Sequence, residues 1–207
     1  MFLLKPIATL LRRSLLSLQA QHEVARFEGI VISDLNQDPG FRETALAALR
    51  LIKDLDARRF RRIQRHINWI VNVPLPYGGA EYSYSTQTCR LDFERSFWKP
   101  YAGYEFALCA RILVHEATHG VVDSRRISYS AKMRSRIERL CVREEQRFLT
   151  RMAFTEPEIA KFLWDEFDEA RWHKRWRDSH WRSLMALTTR LSRRRRTERE
   201  EQQLAHR

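Results

Sequence analysis

Residues 104–114, YEFALCARILV, carry only Glu105 and Arg111 as charges and run directly into HEATHG at 115–120. A helix-length stretch this apolar has to be buried nearly all round. Its far end then takes His115, Glu116 and His119 inside with it. An unpaired polar group in an interior costs on the order of 1–3 kcal/mol, so the fold must supply partners for three polar side chains on one buried helix. Histidines satisfied by backbone carbonyls, with Glu116 on an arginine, are one solution. A bound cation is the other.

On a helix, positions i and i+4 share a face, one turn apart. His115 and His119 are so placed, and two neutral imidazoles there can both reach one zinc ion at roughly 2.0–2.1 Å. Glu116 then points beside the ion, where a carboxylate can take a proton from water attacking a carbonyl. HEATH, set between a strand-bearing segment from residue 69 and a second helix ending near 152, resembles the zincin group of zinc metallopeptidases. More narrowly it is similar to the glutamate-ligand branch typified by thermolysin. The resemblance implies Zn2+ as cofactor, His115 and His119 as ligands, Glu116 as general base, and a peptide or protein substrate. It covers neither end of the chain.

A third ligand has to come from elsewhere. Asp123 shares the face, but eight residues of helix put it about 12 Å from His115, out of reach of one ion; a cap or supporting role suits it better. The longer signature with a downstream glycine and third histidine is absent, since Val122, Ser124 and Arg125 stand there. The next helical stretch, SAKMRSRIERLCVREEQRFLTRM at 130–152 with Ser130 as N-cap, offers carboxylates. Its arginines 136, 139, 143 and 147 fall with Thr150 on one side. Cys141, Phe148 and Met152 lie opposite with Glu138, Glu144 and Glu145. If the chain turns near Arg126, residues 115–119 reflect onto about 133–137, nearest to Glu138, whereas Glu145 lies roughly 10 Å further along. Glu138 is therefore the expected third ligand, with Glu145 the alternative or else the partner of His115. Glu144 also stays open. Tyr129, between the helices, either donates to a developing oxyanion, as the resemblance implies, or covers a helix end.

The surrounding sequence predicts a mostly helical α+β chain. FRETALAALRLIKDLDARRFRRIQRHINWIV, after the turn-forming NQDPG, has helical spacing and reads as one long helix or two joined near Asp54–Asp56. WIVNVPLPYGGAEYSYSTQTCRLDFE reads as a strand, a turn and a longer strand, AEYSYSTQTCRLDF, that can accept an extended peptide along an edge. Expected segments are 1–40, an N-terminal amphipathic helix and linker; 41–155, the zincin-like core; and 156–207, a charged helical extension with the tail RRRRTEREEQQ.

Lys and Arg outnumber Asp and Glu by 38 to 26, a net charge of +12, so a polyanion or an anionic membrane is a natural partner. Residues 1–20 can lie on such a membrane, and the basic tail can meet nucleic acid. Lys5, Arg12 and Arg13 interrupt the N-terminal apolar run before it reaches a spanning length. Three scattered cysteines make no disulfide framework and fit a reducing, cytoplasmic setting, with peripheral membrane attachment allowed. Two other functions compete. One is a zincin-fold protein without catalysis that binds nucleic acid or regulates, supported by Arg58–Arg65 and by Trp172 and Trp176 among basic residues. The other is a deformylase-like amidase with Cys89 as ligand, against which the preceding glycine is missing.

Overall fold

The computed structural model describes residues 14, 16–17, 19–75, 79–96, 103–162 and 170. The expected N-terminal membrane-facing segment therefore lies largely outside the described residues, as do Trp164, Trp172, Trp176 and the arginine-rich tail. The elements are β1 (Glu23–Phe27), β2 (Ile30–Asp34), α1 (Phe41–Leu55), α2 (Ala57–His66), β3 (Trp69–Asn72), β4 (Ala80–Ser83), β5 (Thr88–Leu91), the single turn α3 (Phe93–Ser96), α4 (Glu105–Ser124) and α5 (Arg134–Ala153), then a 3-10 stretch, Pro157–Phe162. The protein is thus α+β and mostly helical, with one small mixed sheet. No helix among the described residues is long and apolar enough to cross a membrane.

The sheet runs β1-β2-β3-β5-β4. Its centre is parallel, and its two outer pairs are antiparallel. Ile32, Ile70 and Cys89 sit in register across the parallel strands, all fully buried. Near-continuous apolar runs such as IVI and IV are what parallel strands need when both faces are covered.

At the C-terminal ends of these strands, Asn72 Nδ2 donates to Asp34 Oδ1 at 2.8 Å and to Asp38 Oδ2 at 2.7 Å. Its Oδ1 accepts from Phe93 N at 3.1 Å. One buried amide thus ties β2, β3 and the segment leaving β5.

Three expectations about the elements need correction. The segment 1–40 is not only helix and linker, because Glu23–Phe27 and Ile30–Asp34 form a hairpin of the sheet. Its two-residue turn, Glu28 and Gly29, has φ of 45° and 89°, the left-handed pair that suits strand twist and that Gly29 allows. AEYSYSTQTCRLDF is two strands, not one long one. Residues 84–87 form the turn between β4 and β5 with Gln87 at φ 51°, and without glycine or proline there the alternation hides the break. Finally, Ser130 is not the N-cap of the last long helix. Its carbonyl accepts from Met133 N and Arg134 N, and α5 begins at Arg134 after Met133. The 41–67 stretch is two helices: Asp56 ends α1 and caps α2, its side chain accepting from Arg59 N at 3.0 Å.

α4 packs against α1, α2, α5 and the β4–β5 hairpin. The approach to α2 is close at Gly120. A Cβ built there would lie 2.6 Å from His66 Cβ and 2.9 Å from Tyr82 Oη, while that hydroxyl donates to His66 O at 2.8 Å. Only glycine fits where α2, β4 and α4 converge, one residue past His119.

Candidate metal centre

α4 and α5 form an antiparallel pair around the turn at Arg126, whose φ is 57°. Arg111 meets Glu145, His119 meets Glu138, and Val122 clusters with Ile137 and Cys141, so partners descend one helix as they climb the other. His115, Glu116 and His119 are buried on α4; Glu138, Cys141, Glu144 and Glu145 are buried on α5.

The two histidine rings stand 5.2 Å apart, tilted by 55°. The Glu138 carboxylate reaches both from the facing helix: Oε2 is 3.3 Å from His115 Nε2, and Oε1 is 3.7 Å from His119 Nε2. Behind His115, Glu145 Oε2 lies 2.9 Å from Nδ1, and Glu145 Oε1 is 2.9 Å from Arg111 Nε. Arg111, Glu145 and His115 thus form a chain that fixes the ring with Nε2 turned toward Glu138. Glu145 therefore stands behind His115, and Glu138 between the two rings. Glu144 faces elsewhere, bound to Arg59 at 3.2 Å, Arg62 at 3.0 Å and Arg147 at 2.8 Å. Of the arginines 58–65, Arg59 and Arg62 are therefore tied to the helix pair.

Tyr129 borders the site, its ring 5.6 Å from His119 and nearly edge-on at 79°. Its hydroxyl donates to Glu138 Oε1, and the Arg134 guanidinium covers its ring at 5.4 Å. Asp123 is exposed in the last turn of α4. Cys89 lies in the sheet core and outside the cluster; the thiol that joins the histidines is that of Cys141. Ligand atoms of His115, His119 and Cys141 all lie within 4.8 Å of one another. Tyr84, just beyond the edge strand, also belongs to the surroundings: its ring is 6.4 Å from that of Tyr129. The lone tyrosine after β4 carried no sequence signal beyond strand alternation.

Burial and close charges shift the pKa values of the cluster. Burial alone would lower the His115 pKa, but Glu138 and Glu145 outweigh it and hold it at about 10. His119 is pushed down to about 4 by burial and by its charged neighbour. Burial, with Glu138, Glu81 and Glu145 nearby, raises Glu116 to about 7 against the pull of His115. Burial would raise Glu138 too, but both histidines and Tyr129 bring it below the usual range. Burial holds the Cys141 thiol well above its ordinary value. Glu116 Oε2 and His119 Nδ1 are buried without a hydrogen-bond partner, and Glu138 Oε2 has His115 Nε2 at 3.3 Å. Each such orphaned atom is costly. Two imidazole nitrogens, a carboxylate and a thiol are donors that suit a divalent transition ion, so these residues fit a cation, and the buried His115, His119 and Cys141 group can hold one.

Comparison with family models, with curated proteins and with solved structures finds no match to this chain.

Proposed function

We propose that this chain is a zinc-dependent peptide-bond hydrolase of zincin type, with His115, His119 and Glu138 holding the ion and Glu116 as general base. One observation carries the reading. Glu138 comes from the facing helix to within 3.3 and 3.7 Å of the two Nε2 atoms, while the adjacent Glu116 keeps a buried Oε2 with no partner.

Zinc, when bound there, supplies Lewis acidity toward water and toward a substrate carbonyl. The chain's own residues do the rest. Glu116, raised by burial to about 7, is poised to take a proton at Oε2 near neutral pH and to return it to the leaving amine nitrogen. Glu145 and Arg111 orient His115 from behind and preserve its Nε2 direction. Tyr129 is held on Glu138, so its service to an oxyanion requires that it release that carboxylate. β4 ends the sheet and pairs only with β5 among the described strands, beside α4. An extended peptide can add to such an edge through main-chain hydrogen bonds.

The test pairs metal analysis with turnover of a mixed peptide library. Purified wild type is expected to carry close to one zinc per chain and to cleave peptides. Glu116→Gln should keep the metal and lose turnover, and Glu138→Ala should lose the metal. Full zinc in Glu138→Ala would reject the ligand assignment. Unchanged cleavage by Glu116→Gln would reject the general base, and zinc binding without any cleavage by wild type would favour a non-catalytic module.

A further inference from the structure

Cys141 stands one turn past Glu138 on α5 and is fully buried. Residues at i and i+3 of a helix share a face, so the thiol looks toward α4 as Glu138 does. Its Sγ lies within 4.8 Å of a ring nitrogen of His115 and of His119. In a tetrahedral zinc shell a thiolate sulfur and an imidazole nitrogen sit roughly 3.6 Å apart, from bonds of about 2.3 and 2.0–2.1 Å. The gap left to close is at most about 1.2 Å.

A packing role accounts for part of this placement, since Cys141 shares a small apolar cluster with Val122 and Ile137. Alanine or valine would serve such a cluster as well. Neither would put a soft donor beside two imidazoles and one turn from the carboxylate that reaches both of them.

We propose that Cys141 is a further ligand to the ion held by His115, His119 and Glu138, so that its thiolate and a water molecule compete for the fourth position. This rests on the metal reading above. On binding, Sγ gives its proton to solvent; when water takes the position, Sγ regains a proton from solvent and the ion keeps three protein ligands. The resting centre is thereby closed, and the soft donor selects zinc-like ions over magnesium, calcium or manganese.

The full-length protein loaded with Co2+ tests the proposal by absorption, without any substrate. Wild type, Cys89→Ser and Cys109→Ser are expected to show a near-ultraviolet thiolate-to-cobalt charge-transfer band along with visible cobalt bands. Cys141→Ser and Cys141→Ala should lose the former and keep the latter. Their Zn2+ affinity, measured by chelator competition, should fall about tenfold or more. Visible cobalt bands without charge transfer in wild type would overturn the Cys141 proposal and leave the metal reading intact. So would a charge-transfer band that survives in Cys141→Ala. Wild type that binds no Co2+ at all would overturn both. If the Cys141 variants fail to fold, a wild-type band that persists in the Cys89 and Cys109 variants still assigns the thiolate, because these are the chain's three cysteines.

Discussion

Gly120→Ala should destabilise the protein through one identifiable contact. In a helix interior, alanine is ordinarily favoured over glycine by about 1 kcal/mol, so a free position would gain stability. Here the added Cβ meets His66 Cβ at 2.6 Å, where ordinary contact begins at 3.4 Å, and Tyr82 Oη at 2.9 Å. Closing that shortfall of about 0.8 Å means separating α4 from the end of α2, because a Cβ cannot rotate away from its own backbone. The tyrosine hydroxyl cannot retreat freely either, since it is bonded to His66 O. Overpacking of this kind costs about 1–3 kcal/mol. A Cβ–Cβ overlap of this size belongs in the upper part of that range, about 2–3 kcal/mol, so after the propensity gain of about 1 kcal/mol the net loss should be about 1–2 kcal/mol, or roughly 2–8 °C in Tm for a chain of this size. Thermal and urea unfolding followed by circular dichroism give the number. A double variant, His66→Gly with Gly120→Ala, should be less destabilised than the sum of its single variants, since removing the opposing Cβ relieves the clash. A Gly120→Ala protein as stable as wild type, or a strictly additive double variant, would refute the close-approach account.

Asn72→Leu should cost about 2–4 kcal/mol in urea unfolding, because it removes the one buried amide that bonds Asp34, Asp38 and the Phe93 N–H. Glu145→Ala should weaken zinc binding about 10–100-fold in chelator competition without abolishing it, since Glu145 touches the back of His115 and not the side that faces Glu138; complete metal loss would mean that Glu145 is itself a ligand. Burial would raise both Asp56 and Glu144, but Arg59 and Arg151 around the first, and Arg62, Arg147 and Arg59 around the second, bring both below their ordinary values. A folded pKa below the unfolded one gives stability that is complete above the unfolded value and lost as pH falls through the folded one. Stability should therefore decline below about pH 4, and the decline should be shallower in Asp56→Asn, which keeps the α2 cap but removes the charge. An equally steep decline in that variant would exclude Asp56 as a source.

Helices were legible where apolar spacing and a punctuating residue agreed. Asp56 interrupts a helical period with a side chain that can cap, so the division of 41–66 showed. Burial of α4 followed from its shortage of charge. The sheet was less legible because its strands are four or five residues long, too short for alternation to mark their ends. Glu23–Phe27 reads as a polar linker because an edge strand can keep charged residues in solvent. The β4–β5 turn lacks the usual turn residues and takes its left-handed position with Gln87. Strand order was not legible at all: it depends on α1 and α2 carrying the chain from β2 to β3, and on β5 entering between β3 and β4.

The site depended on a different quantity, the level at which two helices face each other, which periodicity does not encode. Reflection about Arg126 pairs 115–119 with about 133–137, but the structure opposes His119 to Glu138 and Arg111 to Glu145. The difference arises in the loop, where residues 127–133 are non-helical or in a turn and consume chain without climbing α5. A carboxylate on a two-methylene stem tolerates such an error of level. An aspartate at 138 would not, so Glu138→Asp should pull the carboxylate back from both Nε2 atoms and weaken zinc binding while leaving the helix pair folded. Zinc affinity equal to wild type in that variant would mean that reach across the helix pair does not set this centre.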